Sequence, residues 1–506
     1  MKPRPYQTEA VLKIRHGFKE FKKQLAVLPT GSGKTILFSW LAEEIQPLKT
    51  LILCHRQELL TQAVEKLRMA TGIRAELEKA EWTASAEAPV VVASVQSMIR
   101  RLDRWPSDHF HLVVADEAHH AVSESWQKVL NHFDSYVLGC TATPDRADQR
   151  TLGEYFENVA VDISLVRLIR EQYLSNIVIK SVPLKIDLTK VHLQGGDFDE
   201  VELGHLLEPY LVTIAQAIRD HASFRKVLAF LPLIDTSRKF VEACRQVGLT
   251  AKHVDGKSPD RAEILQQFDN NQFDVLSNAM LLVEGYDSPS IDCIVVLRPT
   301  KSRPLFAQMV GRGTRVHPAK ENLLLLDFLW LHERHRIVHP ADLMAHDAEE
   351  ADIVTELSQK LSAQGASEEQ LDLLTLAASA TEERERKLRE RLAELASRKA
   401  KFISPEQFCL EHGETETAFY EPTMKWEGKP ITRKQMKYLE RTKIDPDLIK
   451  GRGHASKLLD VMFKHKDLEL ASQKQRWSMQ QHGHPDPWMA TKAEARRFFA
   501  QLNRKK

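Results

Sequence analysis

The sequence predicts two consecutive α/β domains, each built on a parallel sheet, followed by a helical region without strands. Short apolar runs lacking polar alternation recur between amphipathic stretches, the pattern expected where helices cover both faces of a sheet. It occurs over about residues 24–165, resumes from about 225, and stops after Phe328. A glycine-rich loop follows the first run of the first series, and nothing comparable opens the second.

In the first domain, residues 1–165, strands are expected at Leu25–Leu28, Thr50–Leu53, Pro89–Val92, Leu112–Val114 and Tyr136–Leu138, with a helix from Gln57 to Met69. Residues 166–222 read as a linker or insertion, with a strand-like Ile177-Val178-Ile179, a turn at Gly195-Gly196 and a helical stretch from Leu203 to Ala222. The second domain, 223–335, has strand runs at Lys226–Phe230, Ala251–Val254, Phe273–Leu276, Cys293–Leu297 and Leu323–Leu326. Residues 336–424 are helical and charged, and the run Glu382–Lys387 reads as a solvated helix face. Residues 425–506 carry a degenerate helical repeat with a period of roughly 40 residues, Thr432–Gln435 with His454–Leu459 and then Ser472–Gln475 with Lys492–Phe499.

The chemistry starts at Leu28-Pro29-Thr30-Gly31-Ser32-Gly33-Lys34-Thr35. Glycines let backbone N–H groups turn inward on phosphates, the lysine reaches the outer phosphates, and the threonine hydroxyl can ligate magnesium. The apolar run Leu112–Ala115 then delivers Asp116-Glu117-Ala118-His119 at the carboxyl end of a strand. One carboxylate can hold the metal and the other can polarise a water. In this order the two motifs predict hydrolysis of a nucleoside triphosphate, with ATP and Mg2+ as the expected ligands, Thr35 and Asp116 at the metal, and Lys34, Asp116, Glu117 and His119 in the catalytic set.

Composition bounds the rest. The formal net charge of +1 hides an asymmetry: residues 425–506 carry +11 and the remainder −10. A basic module on an acidic motor predicts contact with a polyanion. No apolar stretch is long enough to span a bilayer. The five cysteines Cys54, Cys140, Cys244, Cys293 and Cys409 are scattered, and Met1–Gln7 lacks the apolar core of a signal peptide, which predicts a reducing, cytoplasmic setting without structural zinc.

The remaining motifs resemble those of superfamily 2 helicases and translocases with a DEAH-type acidic motif, the motor being most similar to RadD-type and XPB-like DNA-dependent ATPases over roughly residues 3 to 330. Arg4, Tyr6 and Gln7 resemble the adenine-reading segment, and with Thr30, Gly31, Ser32, Gly33, Lys34 and Thr35 they make the nucleotide-binding set the resemblance implies. Leu53–Leu59, with Arg56, resembles motif Ia, and Ser94-Val95-Gln96-Ser97 the next strand-contacting motif, which places Arg56, Ser94 and Gln96 on nucleic acid. Thr141–Pro144 resembles motif III. Gly285-Tyr286-Asp287 resembles motif V, with Gly285 and Asp287 at the nucleotide. Gln308–Arg315 resembles motif VI, and the spacing of Gln308, Arg312 and Arg315 at four and three residues predicts one helical face. Arginines from a facing domain would complete the transition-state charge. Val283 departs from the family's backbone-contacting threonine, and the basic repeat replaces the cysteine-rich zinc region of RadD-type proteins.

The resemblance implies two tandem RecA-like domains with ATP between them and a helical C-terminal region. The expected function is an ATP-dependent helicase or translocase, acting on DNA rather than RNA. The alternatives are a duplex motor without strand separation, as in repair, restriction or defence complexes, and a nucleotide-switched DNA clamp. The C-terminal region is a candidate site for protein partners as well.

Overall fold

The computed structural model describes residues 3–55, 57–142, 152–189, 191–283, 285–331, 338–343, 348–367 and 371–380, and nearer the end chiefly 426–439, 448–467 and 490–504 with single positions between them. The chain divides into two units, 1–381 and 382–506.

The first unit carries two sheets. One is formed by β1 (Lys23–Val27), β2 (Thr50–Cys54), β3 (Glu76–Glu78), β4 (Val90–Ser94), β5 (Leu112–Asp116), β6 (Tyr136–Thr141) and β7 (Asn158–Asp162). All pairings are parallel, in the order β3-β4-β2-β5-β6-β1-β7. Strands β2, β4 and β5 are buried along their whole length, as their unbroken apolar runs require. Helices α1 (Pro5–Gly17), α2 (Lys34–Glu44) and α3 (Gln57–Thr71) belong to this lobe. Parallel strands end on one rim. The loop after β1 and the acidic pair after β5 therefore stand on that rim with only β6 between them, about 10 Å apart at the usual strand spacing.

The second sheet holds β8 (Ile177–Asp187), β11 (Val227–Phe230), β12 (Ala251–Val254), β13 (Val275–Asn278), β14 (Cys293–Val296) and β15 (Leu323–Leu331), while β9 (Leu193–Gln194) and β10 (Asp197–Phe198) form a small hairpin. Its order is β12-β13-β11-β14-β15-β8, again all parallel. The hairpin turns at Gly195-Gly196, both at positive φ, where a side chain would be strained.

Two features differ from the sequence reading. Residues 166–222 are not a spacer. β8 is an edge strand of the second sheet, pairing Ile177 with Leu323 and Ile179 with Leu325. The helices Glu200–Leu207 and Leu211–His221 bury Leu203, Leu207, Ile214 and Ile218 in the same core as Phe240, Leu324 and Leu326. The charged region beginning near 336 also belongs in part to the first unit. Leu371, next in chain to Asp372 that bridges Val178, accepts a bond from Ile179 N at 3.1 Å, and Leu373, Leu376 and Ala380 join the main core. The run Glu382–Lys387 lies outside the described residues.

In the second unit, the described residues form helices Arg433–Leu439, Arg452–Asp467 and Lys492–Arg504. Thr432 caps the first: its hydroxyl accepts from Gln435 N at 3.2 Å while Gln435 Oε1 accepts from Thr432 N at 3.0 Å. Thr491 and Glu494 repeat this reciprocal pair at 3.3 and 2.8 Å. Leu439, Ile444, Ala455, Leu458 and Val461 share one small core, and Ala471, Met479, Ala490 and Ala495 another. Ser472, Gln473 and Lys474 of the expected repeat lie outside the described residues.

Candidate active site

The loop Leu28–Gly33 joins β1 to α2. Gly31 and Gly33 stand at φ +85° and +81°, the left-handed region that turns successive N–H groups toward one point. Leu28 N donates to Thr141 O at 2.9 Å, tying the start of the loop to the end of β6. From the other side, Tyr6 Oη and Gln7 Nε2 (3.3 Å) both donate to Ser32 O. Gln7 Oε1 accepts from Arg4 N at 2.9 Å, and the Arg4 guanidinium lies 5.3 Å from the Tyr173 ring centre. Arg4, Tyr6 and Gln7 thus brace the loop, and both ends of the Gln7 amide are engaged in doing so.

At the end of β5, Asp116 Oδ1 accepts from Glu117 N at 3.1 Å. Glu117 sits at φ +51°, ψ +57°, a left-handed conformation that costs a non-glycine residue on the order of 1–3 kcal/mol and aims its carboxylate back at the loop. Lys34 Nζ lies 3.4 Å from Glu117 Oε1, and His119 Nδ1 lies 3.6 Å from Oε2. Burial pushes the Glu117 pKa up, but the charge and hydrogen bond of Lys34, with His119 and Arg312, outweigh it and hold the carboxyl below its usual range. The site therefore keeps an ionised carboxylate in a dry place. His119 lies tilted against His120 with ring centres 4.2 Å apart, and His120 stacks at 4.3 Å on His55, just after β2.

The second lobe closes directly on this loop. Helix Arg303–Gly311 ends so close to it that a side-chain carbon on Gly311 would stand 2.3 Å from Thr30 Cβ. Thr314 Oγ1 donates to Thr30 O at 3.4 Å, and a carbon on Gly31 would meet Thr314 Oγ1 at 3.0 Å and Arg315 Cγ at 3.5 Å. Arg315 pairs with Asp287 Oδ1 at 2.6 Å, and Arg312 donates to Tyr286 O at 2.9 Å. Lys66 of α3 reaches Asp287 Oδ2 at 3.0 Å across the lobes, and Gln62 on the same helix donates to Gly285 O. Burial pushes Asp287 up, and Arg315 and Lys66 overcome it, leaving that carboxyl below its usual range.

The expected helical face is corrected in one respect. The helix stops at Gly311 with Arg312 as its cap, and Arg315 lies beyond it in a β-bridge with Leu174. Gly313 lets the chain pass close to β15, since a side-chain carbon there would stand 2.5 Å from Leu323. Gln308 remains on the helix and is buried. Arg312 and Arg315 converge on Tyr286 and Asp287 through this turn rather than through helical periodicity.

Of the expected nucleic-acid contacts, Ser94 is buried and caps the helix Val95–Arg100, accepting from Ser97 N at 3.2 Å, while Gln96 is exposed. Arg56, Thr143 and Pro144 lie outside the described residues. Val283 is buried, so it offers no surface to a strand. Gln62, Lys66, Thr314 and Lys320 were not singled out from the sequence. Only Thr314 carried a signal, its place between the two arginines.

The residues fit a nucleoside triphosphate and a divalent cation. The buried oxygens Thr30 Oγ1, Ser32 Oγ, Thr141 Oγ1 and Glu117 Oε2 have no hydrogen-bond partner, and all belong to the loop or to the rim facing it. Among the described residues there is no cluster of three or more His, Cys, Asp and Glu able to hold a metal, and no helix is long and apolar enough to cross a membrane.

Comparison with known proteins agrees with this geometry. Residues 1–146 match the family "Type III restriction enzyme, res subunit", and residues 210–317 match "Helicase conserved C-terminal domain". IRC3 of Saccharomyces cerevisiae, provisionally named an ATP-dependent helicase, is 32% identical over 64% of this chain and 51% of its own. The DNA 3'-5' translocase XPB2 of Sulfurisphaera tokodaii is 26% identical over 64% of this chain and 80% of its own. A fragment structure of a type I restriction enzyme subunit from Vibrio vulnificus, assigned as HsdR, shares the fold at a TM-score of 0.52, with 23% identity over 64% of each chain. The chain spans about half the length of its yeast relative. With two RecA-like lobes, the phosphate loop on one and the arginine motif on the other, the chain is similar to the superfamily 2 helicases and translocases over both of its sheet-bearing lobes.

Proposed function

We propose that this chain is an ATP-driven DNA motor in which hydrolysis and lobe closure are one event. The observation that carries this reading is the seating of Thr314 and Arg315 of the second lobe on Thr30 and Gly31 of the phosphate loop. Lys34, Ser32 and Gly33 hold phosphates, Thr35 and Asp116 hold Mg2+, and Glu117 orients the attacking water. When bound, the cation neutralises phosphate charge and fixes the outer phosphates for in-line attack. Arg312 and Arg315 supply the balancing charge from the facing lobe. Because each lobe owns half of the site, triphosphate occupancy biases a hinge. Five buried free thiols accord with a reducing compartment.

DNA is favoured over RNA by the printed function of the XPB2 relative. The test is ATP turnover by the full chain against single-stranded DNA, duplex DNA, forked DNA and RNA, with Lys34→Ala as the control for the site. Stimulation by DNA that vanishes in Lys34→Ala supports the reading. Turnover indifferent to every nucleic acid replaces the motor with a nucleotide-switched clamp. Strand-displacement and triplex-displacement assays then separate a helicase from a duplex translocase.

A further inference from the structure

Beyond β3 the chain makes a tight turn in which Lys79 N donates to Trp82 O at 3.0 Å and Trp82 N to Lys79 O at 2.6 Å, with Ala80 at φ +41°. Beneath it lies an ion network of unusual completeness for a surface loop. The Glu78 carboxylate is fully buried and accepts from Arg101, from Arg104 at 3.1 Å and from Ala84 N at 3.1 Å. Arg101 also donates to Ala80 O and, at 2.9 Å, to Trp82 O, and Arg104 donates to Ala84 O at 3.2 Å. A buried carboxylate is tolerated only when it is fully partnered, and full partnering makes the group rigid.

This rigid loop holds an aromatic side chain out into solvent, with Trp82 65% exposed. Its position is specific. Ala80 N donates to Ser97 Oγ at 3.1 Å, and Ser97 Oγ lies 2.9 Å from Ser94 Oγ, so the loop is bonded to the motif after β4 that also presents the exposed Gln96. Lys79 and Glu81 share the turn with Trp82, and Arg101, itself held by Glu78, reaches the Trp82 backbone carbonyl at 2.9 Å. A rigidly held, exposed aromatic ring offers a π-face on which an unpaired base can stack whatever its sequence.

We propose that Trp82 is a stacking platform for an unpaired base of the strand that passes Ser94–Ser97. The inference rests on the motor reading above and extends the nucleic-acid path to a residue that none of the helicase motifs includes. The full chain, Trp82→Ala and Trp82→Phe are compared for binding of a fluorescent oligothymidylate and of a blunt duplex at several salt concentrations, and for ATP turnover with and without oligothymidylate. Trp82→Ala should weaken oligothymidylate binding about tenfold, with Trp82→Phe recovering most of it. The slope of affinity against salt should not change, since every phosphate keeps its cation. Turnover without nucleic acid and the melting temperature should stay as in the parent chain. Unchanged oligothymidylate binding by Trp82→Ala overturns the assignment and leaves the loop as a protein contact, and an equal loss on blunt duplex or an altered salt slope overturns it too. If the parent chain binds no nucleic acid at all, the motor reading fails together with it, an outcome distinct from parent binding that Trp82→Ala leaves intact.

Discussion

Arg315 Nη1 lies 2.6 Å from Asp287 Oδ1, while the stem of the same side chain rests against Gly31 of the phosphate loop. On the mechanism proposed above Arg315 supplies charge to the transferring phosphoryl group, and its side chain already stands beside the loop. Asp287 takes Lys66 on its other oxygen, so one carboxylate gathers a charge from each lobe. Preorganised charge of this kind needs little rearrangement at the moment of reaction.

Arg315→Ala should reduce ATP turnover by about 10³-fold or more, the scale typical of arginines supplied in this way, while nucleotide affinity changes far less. Single-turnover hydrolysis beside equilibrium binding of a labelled nucleotide checks the split. Parental turnover in this variant would remove Arg315 from the reaction.

Gly311→Ala should push the lobes apart, because the added carbon would stand 2.3 Å from Thr30 Cβ. Overpacking of this kind costs about 1–3 kcal/mol and here acts on the cleft itself. Turnover should fall together with the melting temperature. Gly256→Ala, where an added carbon meets nothing within 4 Å, serves as the control and should change neither.

Lys320 predicts an unusual pH dependence of stability. Its ammonium lies behind the arginine turn and donates to Gly313 O and, at 3.0 Å, to Arg315 O. Burial brings its pKa down to about 7, with Asp292 opposing and Arg315 and Arg225 adding to the fall. Between about 7 and the usual 10.5 the folded chain has released a proton that the unfolded chain still binds, so this residue makes stability rise with pH across that window. Urea midpoints should climb over that range in the parent chain and climb less in Lys320→Met. Parallel profiles would show that Lys320 titrates alike in both states.

Removing residues 425–506 should weaken DNA binding and flatten its salt dependence, by about 0.9 in slope for each duplex phosphate that the unit neutralises. Arg433, Lys434, Lys437, Lys492, Arg496 and Arg497 are exposed on the helices of that unit and are the expected contacts. Filter binding of duplex DNA across a salt series measures the slope. An unchanged slope would make the unit a docking module for protein.

The strands were legible because burial on both faces demands unbroken apolar runs, as in Val90–Ala93 and Leu112–Ala115. The phosphate loop and the acidic pair were legible because their chemistry dictates residue type and order. The place of β8 was not. Ile177-Val178-Ile179 reads as a strand, but its partner β15 arrives only at Leu323, and nothing local names it. Arg315 stands beside the loop through a turn after Gly311 and not on a helical face, and the close passage of Gly313 over Leu323 belongs to a strand that arrives later in the chain. Gln62 and Lys66 had no signal at all. On an amphipathic helix they read as ordinary polar-face residues until a second lobe is set against them.

The connection between the lobes is stitched to the arginine turn. Ser175 N donates to Thr314 O at 2.7 Å, Ser175 Oγ to Arg315 O at 3.0 Å, and Leu174 bridges Arg315, just ahead of the strand that starts at Ile177. Any swing of the far lobe must drag the tether and the guanidinium together, like a crank welded to its pin. On the motor proposed above, stiffening or lengthening the chain just before Leu174 would retime the stroke from outside the pocket.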